Sequence, residues 1–235
     1  MLRVKMIGAG ALVWALALGA GPAAAQQGEQ PAEKPGQKQP EKPKQPGKEA
    51  DKEAKWEIGK PAKAFELTDV SGQKHTLAQH KGDVVVLVWW NPTCDEVRHQ
   101  FQQGSLMTLP KEFQGQPVTW LAINSTPQDE EGGGAAATIE GQRELGMTMP
   151  VLLDLDARTA KAYDVKKAPT VFVIDQEGTL VYAGAVDNAP KGKPEGSITK
   201  ETYLRDAITA TLGGTTLTTE TTKVHGCPIK AKDAD

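Results

Sequence analysis

Residues 84–94 read VVVLVWWNPTC, an apolar run that leads through a short turn into Cys94. An uninterrupted apolar run of this length predicts a strand that is buried on both faces of a sheet. Residues 94–103 are predicted to form a helix, since Val97 and Phe101 lie four positions apart on its inner face. Cys94 then stands at the N-terminus of a helix, where free backbone N–H groups and the helix dipole stabilise a thiolate. It is the first candidate for chemistry.

Strands and helices alternate over residues 56–212. Two hairpins are predicted, one at the N-terminal end of this segment from 64–67 and 75–77 and a later one from 170–174 and 180–184. The other predicted elements are strands at 118–124 and 151–155 and helices at 135–145, 157–163 and 199–212, the last capped by Thr199 and ended by Gly213-Gly214. This order predicts an α/β fold with a mixed central sheet flanked by helices. Residues 213–235 are expected to form an extended C-terminal tail that carries Cys227.

Residues 1–25 have the pattern of a secretory signal peptide. Arg3 and Lys5 precede an apolar stretch at 6–20, and Ala23-Ala24-Ala25 offers a cleavage site. The apolar stretch is shorter than the roughly 20 residues that a membrane-spanning helix needs. We therefore expect a periplasmic or secreted protein with no membrane insertion after signal cleavage, in a compartment where disulfides persist.

Residues 26–55 contain no Val, Ile, Leu, Met, Phe, Trp or Tyr and consist mainly of Gln, Pro, Lys, Glu and Gly. Such a segment cannot bury enough apolar surface to offset the entropy of ordering, so a disordered linker is predicted. Lysine and glutamate alternate along it, and the formal net charge of the chain is −3. A nucleic acid is therefore not an expected partner.

Five collinear motifs resemble those of the redoxin branch of the thioredoxin-fold superfamily, which also contains the peroxiredoxins. They are WNPTCDEV at 90–97, AINS at 122–125, AP at 168–169, GTLVYAGA at 178–185 and GCPIK at 226–230. The chain is most similar to exported bacterial redoxin-domain proteins, over about residues 57–230. The resemblance implies a thioredoxin-like fold over 56–212 and a redox function that needs no organic cofactor.

The resemblance also assigns a site to Ala168 and Pro169. In thioredoxin folds the residue before this proline lies opposite the cysteine, in a cis peptide, and its backbone pairs with the bound substrate chain. Ala168 and Pro169 are therefore the expected substrate-binding residues, with Cys94 and Cys227 as the catalytic ones. An ordinary trans proline at the first position of a strand is the alternative.

Three departures from the family pattern bear on the activity. Val97 stands where a thioredoxin has its second cysteine, and Asp95-Glu96 replace a proline and a large apolar residue. Carboxylates beside a thiol raise its pKa by like-charge repulsion, which opposes the effect of the helix N-terminus. Asn91 stands where a peroxiredoxin has the Thr or Ser that helps hold the peroxide. Thiol–disulfide exchange with protein thiols or disulfides is therefore favoured over an antioxidant, peroxide-reducing activity, which stays the alternative.

Cys94 and Cys227 are the two cysteines of the chain. Unpaired thiols are uncommon in an oxidising compartment, so the two are expected to bridge. In one interpretation Cys94 attacks a partner disulfide and Cys227 resolves the intermediate. In the other, the bond permanently pins the tail of a non-enzymatic binding domain and contributes about 5 kcal/mol through the chain-entropy effect. Both interpretations stay open at the level of sequence.

A metal site is not expected. His225 lies near Cys227 and His99 near Cys94 in sequence, which are residue types that bind copper. Copper-delivery proteins of this fold carry two cysteines near the helix start, whereas this chain has one. The histidines are therefore predicted to be solvated.

Overall fold

The computed structural model describes residues 56–194 and 199–229. The chain divides into two units, Met1–Pro43 and Lys44–Asp235, and every described residue belongs to the second. The predicted signal peptide at 1–25 and linker at 26–55 lie outside the described residues and stay predictions.

A seven-stranded mixed sheet forms the centre of the fold. Its strands are β1 (Glu66–Asp69), β2 (Lys74–Thr76), β3 (Val84–Trp89), β4 (Val118–Asn124), β5 (Val151–Leu153), β7 (Thr170–Ile174) and β8 (Leu180–Gly184). Their order across the sheet is β2-β1-β5-β4-β3-β7-β8. β3 runs parallel to β4, and β4 parallel to β5, whereas β3 runs antiparallel to β7. Two short strands, β6 (Lys167–Ala168) and β9 (Cys227–Pro228), form a separate antiparallel pair. The expected α/β architecture with a mixed central sheet is confirmed.

Helices cover the two faces of the sheet. They are α1 (Asp95–Gln102), α2 (Leu109–Glu112), α3 (Gly134–Glu144), α4 (Arg158–Ala162) and α5 (Tyr203–Leu212). The described residues include no helix that is long and apolar enough to cross a membrane.

The apolar run of β3 supplies both halves of the core. All six residues of β3 are buried, as expected for a strand covered on both faces. Alternate side chains reach opposite faces, so that Trp89 packs in one apolar cluster and Trp90, just after the strand, in the other. The Trp90 cluster also contains Cys94 and the α1 residues Val97 and Phe101. The sheet thus places Cys94 just beyond the end of β3, against the core.

The predicted start of the last helix is wrong. Thr199 does not cap it, because α5 begins at Tyr203 and Thr202 occupies the N-cap position. Asn188 holds the preceding residues in a different conformation: its side-chain amide donates to Thr199 O at 3.0 Å, and its Oδ1 accepts from Glu201 N–H at 2.9 Å. These tertiary hydrogen bonds outweigh the local preference of a threonine for the cap position.

Candidate active site

The turn between β3 and α1 delivers Cys94 to the site. Asn91 shapes this turn, since its Oδ1 accepts hydrogen bonds from Thr93 N–H at 2.7 Å and Thr93 Oγ1 at 2.8 Å. Its amide nitrogen donates to Thr126 Oγ1 at 2.8 Å. Cys94 follows as the N-cap residue of α1, in an extended conformation and only 2% exposed. The Asn91 side chain is therefore engaged in positioning the cysteine.

Cys94 and Cys227 form a disulfide with a Cα–Cα distance of 5.8 Å. This lies within the range of about 4.4–6.8 Å that disulfide geometry requires. The expectation that the two cysteines bridge is confirmed. Cys94 is buried, whereas Cys227 is partly exposed and lies over it.

Cys227 reaches Cys94 because the tail runs back across the domain. It first pairs with the end of β8, where Ala183 N–H donates to Glu220 O at 3.0 Å and Thr222 N–H donates to Ala183 O at 3.3 Å. The Thr222 hydroxyl then accepts from Ala185 N–H at 2.8 Å and shares a hydrogen bond with the Tyr182 hydroxyl at 2.6 Å. A β-carbon on Gly184 would lie 2.3 Å from Thr222 Oγ1, so glycine is what permits this close approach.

Ala168 and Pro169 lie directly against the disulfide. The Ala168–Pro169 peptide bond is cis, as the resemblance implied. Ala168 pairs with Cys227 in the β6–β9 ladder, and Ile229 N–H extends the contact by donating to Lys166 O at 2.8 Å. The carbonyl oxygen of Ala168 also lies 3.3 Å from Cys94 Sγ. The structure thus brings together all four predicted site residues, and the tail holds the backbone position that was expected to bind a substrate.

Glu96 is the charged group nearest to both sulfurs. Its Oε2 lies 3.5 Å from Cys94 Sγ and 3.3 Å from Cys227 Sγ. Neither sulfur carries a proton in the disulfide, so these are contacts and not hydrogen bonds. Asp95, its neighbour in sequence, is exposed. Of the two carboxylates at the start of α1, Glu96 therefore has the direct contacts with the sulfurs.

Lys191 offsets the charge of Glu96. Its Nζ lies 3.2 Å from Glu96 Oε1, and its side chain is 70% exposed while that of Glu96 is 16% exposed. Sequence analysis missed Lys191 because it lies in a loop far along the chain. No local pattern signals that it meets α1.

A buried carboxylate fixes the loop that carries Lys191. Asp187 accepts hydrogen bonds from Gln100 Nε2 at 3.0 Å, Ser105 Oγ at 2.6 Å and Ala189 N–H at 3.0 Å. Lys200 Nζ lies 3.1 Å from Asp187 Oδ2 and supplies the opposite charge. This cluster ties α1 to the loop after β8 and so helps hold Lys191 beside Glu96.

The ligand atoms of Cys94, Glu96 and Cys227 lie within 4.8 Å of one another. A metal binds thiolates, whereas both sulfurs are bonded to each other here, and Glu96 is paired with Lys191. His225 lines a small cavity beside Glu96 and Pro169, a cavity whose lining does not include His99. The expectation of no metal site stays a prediction.

The family model for AhpC/TSA matches residues 58–183, which is more than half of the chain. The chain belongs to the AhpC/TSA family. The match includes Cys94 and Pro169, whereas Cys227 and the tail lie beyond its end. The resemblance to redoxin-domain proteins is thereby confirmed.

The chain is also similar to proteins named thiol-disulfide oxidoreductase ResA. It is 32% identical to the one from Bacillus subtilis (strain 168) over 123 residues, or 52% of this chain and 64% of that protein. The corresponding protein of Geobacillus kaustophilus (strain HTA426) is 30% identical, with 52% of this chain and 66% of that protein covered. The chain therefore spans just under two thirds of the length of these relatives.

Two solved structures share the fold over most of their length. One is an uncharacterized conserved protein from Geobacillus kaustophilus, with a TM-score of 0.68 and 27% identity over 77% of this chain and 95% of that one. The other is a hypothetical protein from Sinorhizobium meliloti 1021, with a TM-score of 0.66 and 27% identity over 76% of this chain and 96% of that one. With the family match, these likenesses confirm the expected thioredoxin-like fold.

Proposed function

We propose that the protein is a thiol–disulfide oxidoreductase in which Cys94 is the nucleophile and Cys227 the resolving cysteine. The observation that carries the proposal is the disulfide between Cys227 and the N-cap residue of α1, set directly against Ala168 and Pro169. The name of the ResA relatives, thiol-disulfide oxidoreductase, supports the same activity.

Reduction of the disulfide begins at Cys227. Its sulfur is the partly exposed one, so a thiolate of a partner dithiol attacks Cys227 Sγ and forms a mixed disulfide with it. The S–S bond breaks and Cys94 leaves as a thiolate, which the N-terminus of α1 stabilises. The second thiolate of the partner then displaces Cys227. Two electrons have passed to the protein, and the partner is left as a disulfide.

The reduced protein then acts on a second partner. The Cys94 thiolate attacks one sulfur of a protein disulfide, and the other sulfur of that disulfide leaves as a thiolate. Cys227, once deprotonated, attacks Cys94 Sγ, which restores the Cys94–Cys227 bond and releases the partner as a dithiol. Glu96 Oε2 lies close enough to both sulfurs to hydrogen bond with whichever is protonated.

We place this activity in the cell envelope or outside the cell, in the periplasm or as a secreted protein. The support is the signal-peptide pattern at 1–25 together with pairing of both cysteines in a disulfide. Protein thiols and disulfides are the proposed partners, and neither an organic cofactor nor a metal is part of the mechanism.

The reduction potential of the Cys94–Cys227 bond tests the proposal. We expect a value between about −120 and −270 mV, the working range of oxidoreductases. We also expect Cys94→Ser to abolish reduction of a protein disulfide, and Cys227→Ser to accumulate a mixed disulfide with the partner. A potential well below about −300 mV would instead identify a permanent disulfide that pins the tail.

A further inference from the structure

We propose that the tail segment Gly226–Pro228 occupies the docking site of a partner's cysteine, and that this site selects partners in which glycine directly precedes the reactive cysteine. The inference rests on the proposed function and names the class of segment that the site accepts. It also means that a partner cannot form a disulfide with Cys94 in the oxidised protein, because the tail fills the site, whereas the partly exposed Cys227 stays open to a reducing partner.

The burial of Cys94 restricts how a partner can reach it. Cys94 is 2% exposed, and its sulfur is bonded to that of the partly exposed Cys227. A mixed disulfide requires the Cα atom of the partner's cysteine to lie about 4.4–6.8 Å from that of Cys94. Cys227 already lies within that range, at 5.8 Å. A partner's cysteine therefore has to take the place of Cys227, and the two exclude each other.

Backbone pairing fixes the orientation of the segment that fills this place. Ala168 pairs with Cys227 and Lys167 with Pro228, in antiparallel register. Because these contacts are made by main-chain groups, a partner segment of different sequence can reproduce them. The site accordingly accepts an extended segment that adds a short antiparallel strand to β6.

Glycine is required at the position before the cysteine. A β-carbon built on Gly226 would lie 2.1 Å from the carbonyl oxygen of Ala168, 2.7 Å from its carbonyl carbon and 3.1 Å from Pro169 N. All three are backbone atoms of the site itself, and Gly226 has a φ of +150°, which disfavours residues with a side chain. Any larger residue at this position forces the segment away from Ala168 and moves its cysteine away from Cys94.

The test uses two peptides that differ in one methyl group. They are TKVHGCPI, which reproduces residues 222–229, and TKVHACPI, each with its cysteine in a mixed disulfide with 5-thio-2-nitrobenzoate. Reduced Cys227→Ser protein attacks the peptide sulfur through Cys94, which forms a Cys94–peptide disulfide and releases the coloured thionitrobenzoate anion. We expect the glycine peptide to react about tenfold faster or more, since a misplacement of 1 Å can cost ~100-fold in rate.

Controls separate this inference from the proposed function. Glutathione, a nucleophile without a docking site, should attack the two peptides at equal rates. Equal and fast reaction of both peptides with the protein would overturn the glycine requirement and leave the oxidoreductase activity standing. Reaction no faster with either peptide than with the same derivative of N-acetylcysteine would overturn the docking of the tail segment, whereas reaction of reduced Cys94 no faster than that of glutathione with all three would contradict the proposed function itself.

A second arm examines the full-length protein. We expect Gly226→Ala to shift the thiol–disulfide equilibrium with glutathione toward the reduced form by about tenfold or more. The matched control is Gly214→Ala, because Gly214 has a φ of +62° but no heavy atom within 4 Å of a β-carbon placed on it. An equal shift in both variants would refute the close contact as the cause. The peptide arm stands independently should Gly226→Ala fail to fold.

Discussion

Replacing Thr222 by valine measures how strongly the tail's contact with β8 supports the disulfide. The substitution keeps the shape of the side chain and removes the hydroxyl. Ala185 N–H then loses the acceptor that lies at 2.8 Å, while the Tyr182 hydroxyl keeps its bond to Ala185 O at 2.6 Å. Burial raises the pKa of Tyr182, so its hydroxyl stays protonated and available as that donor.

The magnitude follows from the single donor that is left unsatisfied. A buried donor without a partner costs about 1–3 kcal/mol, and each ~1.4 kcal/mol is tenfold in an equilibrium constant. Because the site is only partly buried, the lower half of this range applies. If the tail leaves β8 when the disulfide is reduced, this cost falls on the oxidised form alone. We therefore expect the equilibrium constant for forming the Cys94–Cys227 bond to decrease by about tenfold.

The assay is equilibration of the protein with mixtures of reduced and oxidised glutathione, followed by alkylation of free thiols and mass measurement. Thr221→Val is the matched control. The backbone of Thr221 forms a β-bridge with Ala183, but its hydroxyl takes no part in the hydrogen bonds with Ala185 and Tyr182. An unchanged constant in Thr222→Val would refute the reasoning, since it would show that the tail stays docked on β8 in the reduced protein.

Three further predictions concern charge, pH and peroxide. Glu96→Gln removes the negative charge that disfavours the Cys94 thiolate, so it should shift the glutathione equilibrium toward the reduced form by about fivefold. The repulsion between two unit charges at ~4 Å is about 1 kcal/mol even in water. No shift would show that Lys191 fully neutralises the carboxylate. Burial opposes ionisation of Asp69, but hydrogen bonds from Ser71 and His75 and from backbone N–H groups lower its pKa to about 2. The ionised carboxylate then contributes about 2 kcal/mol to the free energy of unfolding at pH values above the unfolded pKa of about 3.9, and this contribution is lost as the pH falls toward 2. In urea unfolding, the wild type should therefore lose about this much stability over that pH window, whereas Asp69→Asn should not. Hydrogen peroxide should oxidise the reduced protein no faster than free cysteine, measured by stopped flow, and a much faster reaction would restore the peroxidase alternative.

The position of Cys94 and the class of fold could both be predicted from the sequence. The uninterrupted apolar run of β3 predicts a buried strand, and the spacing of Val97 and Phe101 predicts a helix after the turn, so the N-terminal position of Cys94 on α1 follows from local rules. The position of Pro169 came from the resemblance. The pairing with Cys227 came from having two cysteines in an oxidising compartment, a rule that says nothing about the route of the tail.

What the sequence did not show depends on long-range contacts. The tail contains six threonines at 215–222 and has no periodic apolar pattern. Its path along β8 could therefore not be predicted from the sequence. The role of Thr222 becomes visible only with its partners in place. The same is true of Lys191, and of Thr199, where hydrogen bonds to Asn188 replaced the expected helix cap. Local preference predicts that a helix forms, but hydrogen bonds with residues distant in sequence decide where it begins.

Two segments from outside the sheet cover the two ends of its edge strand β8. β8 is the last strand of the sheet, and an uncovered strand of this kind is a template on which another copy can pair. Its start is covered by residues just before β1, where Gly59 N–H donates to Leu180 O at 2.8 Å and Leu180 N–H donates to Lys60 O at 2.9 Å. Its end is covered by the tail at Glu220 and Thr222. We expect a form of the protein cut before Thr215 to uncover the end of this strand, so loss of the tail would bring with it a tendency to aggregate.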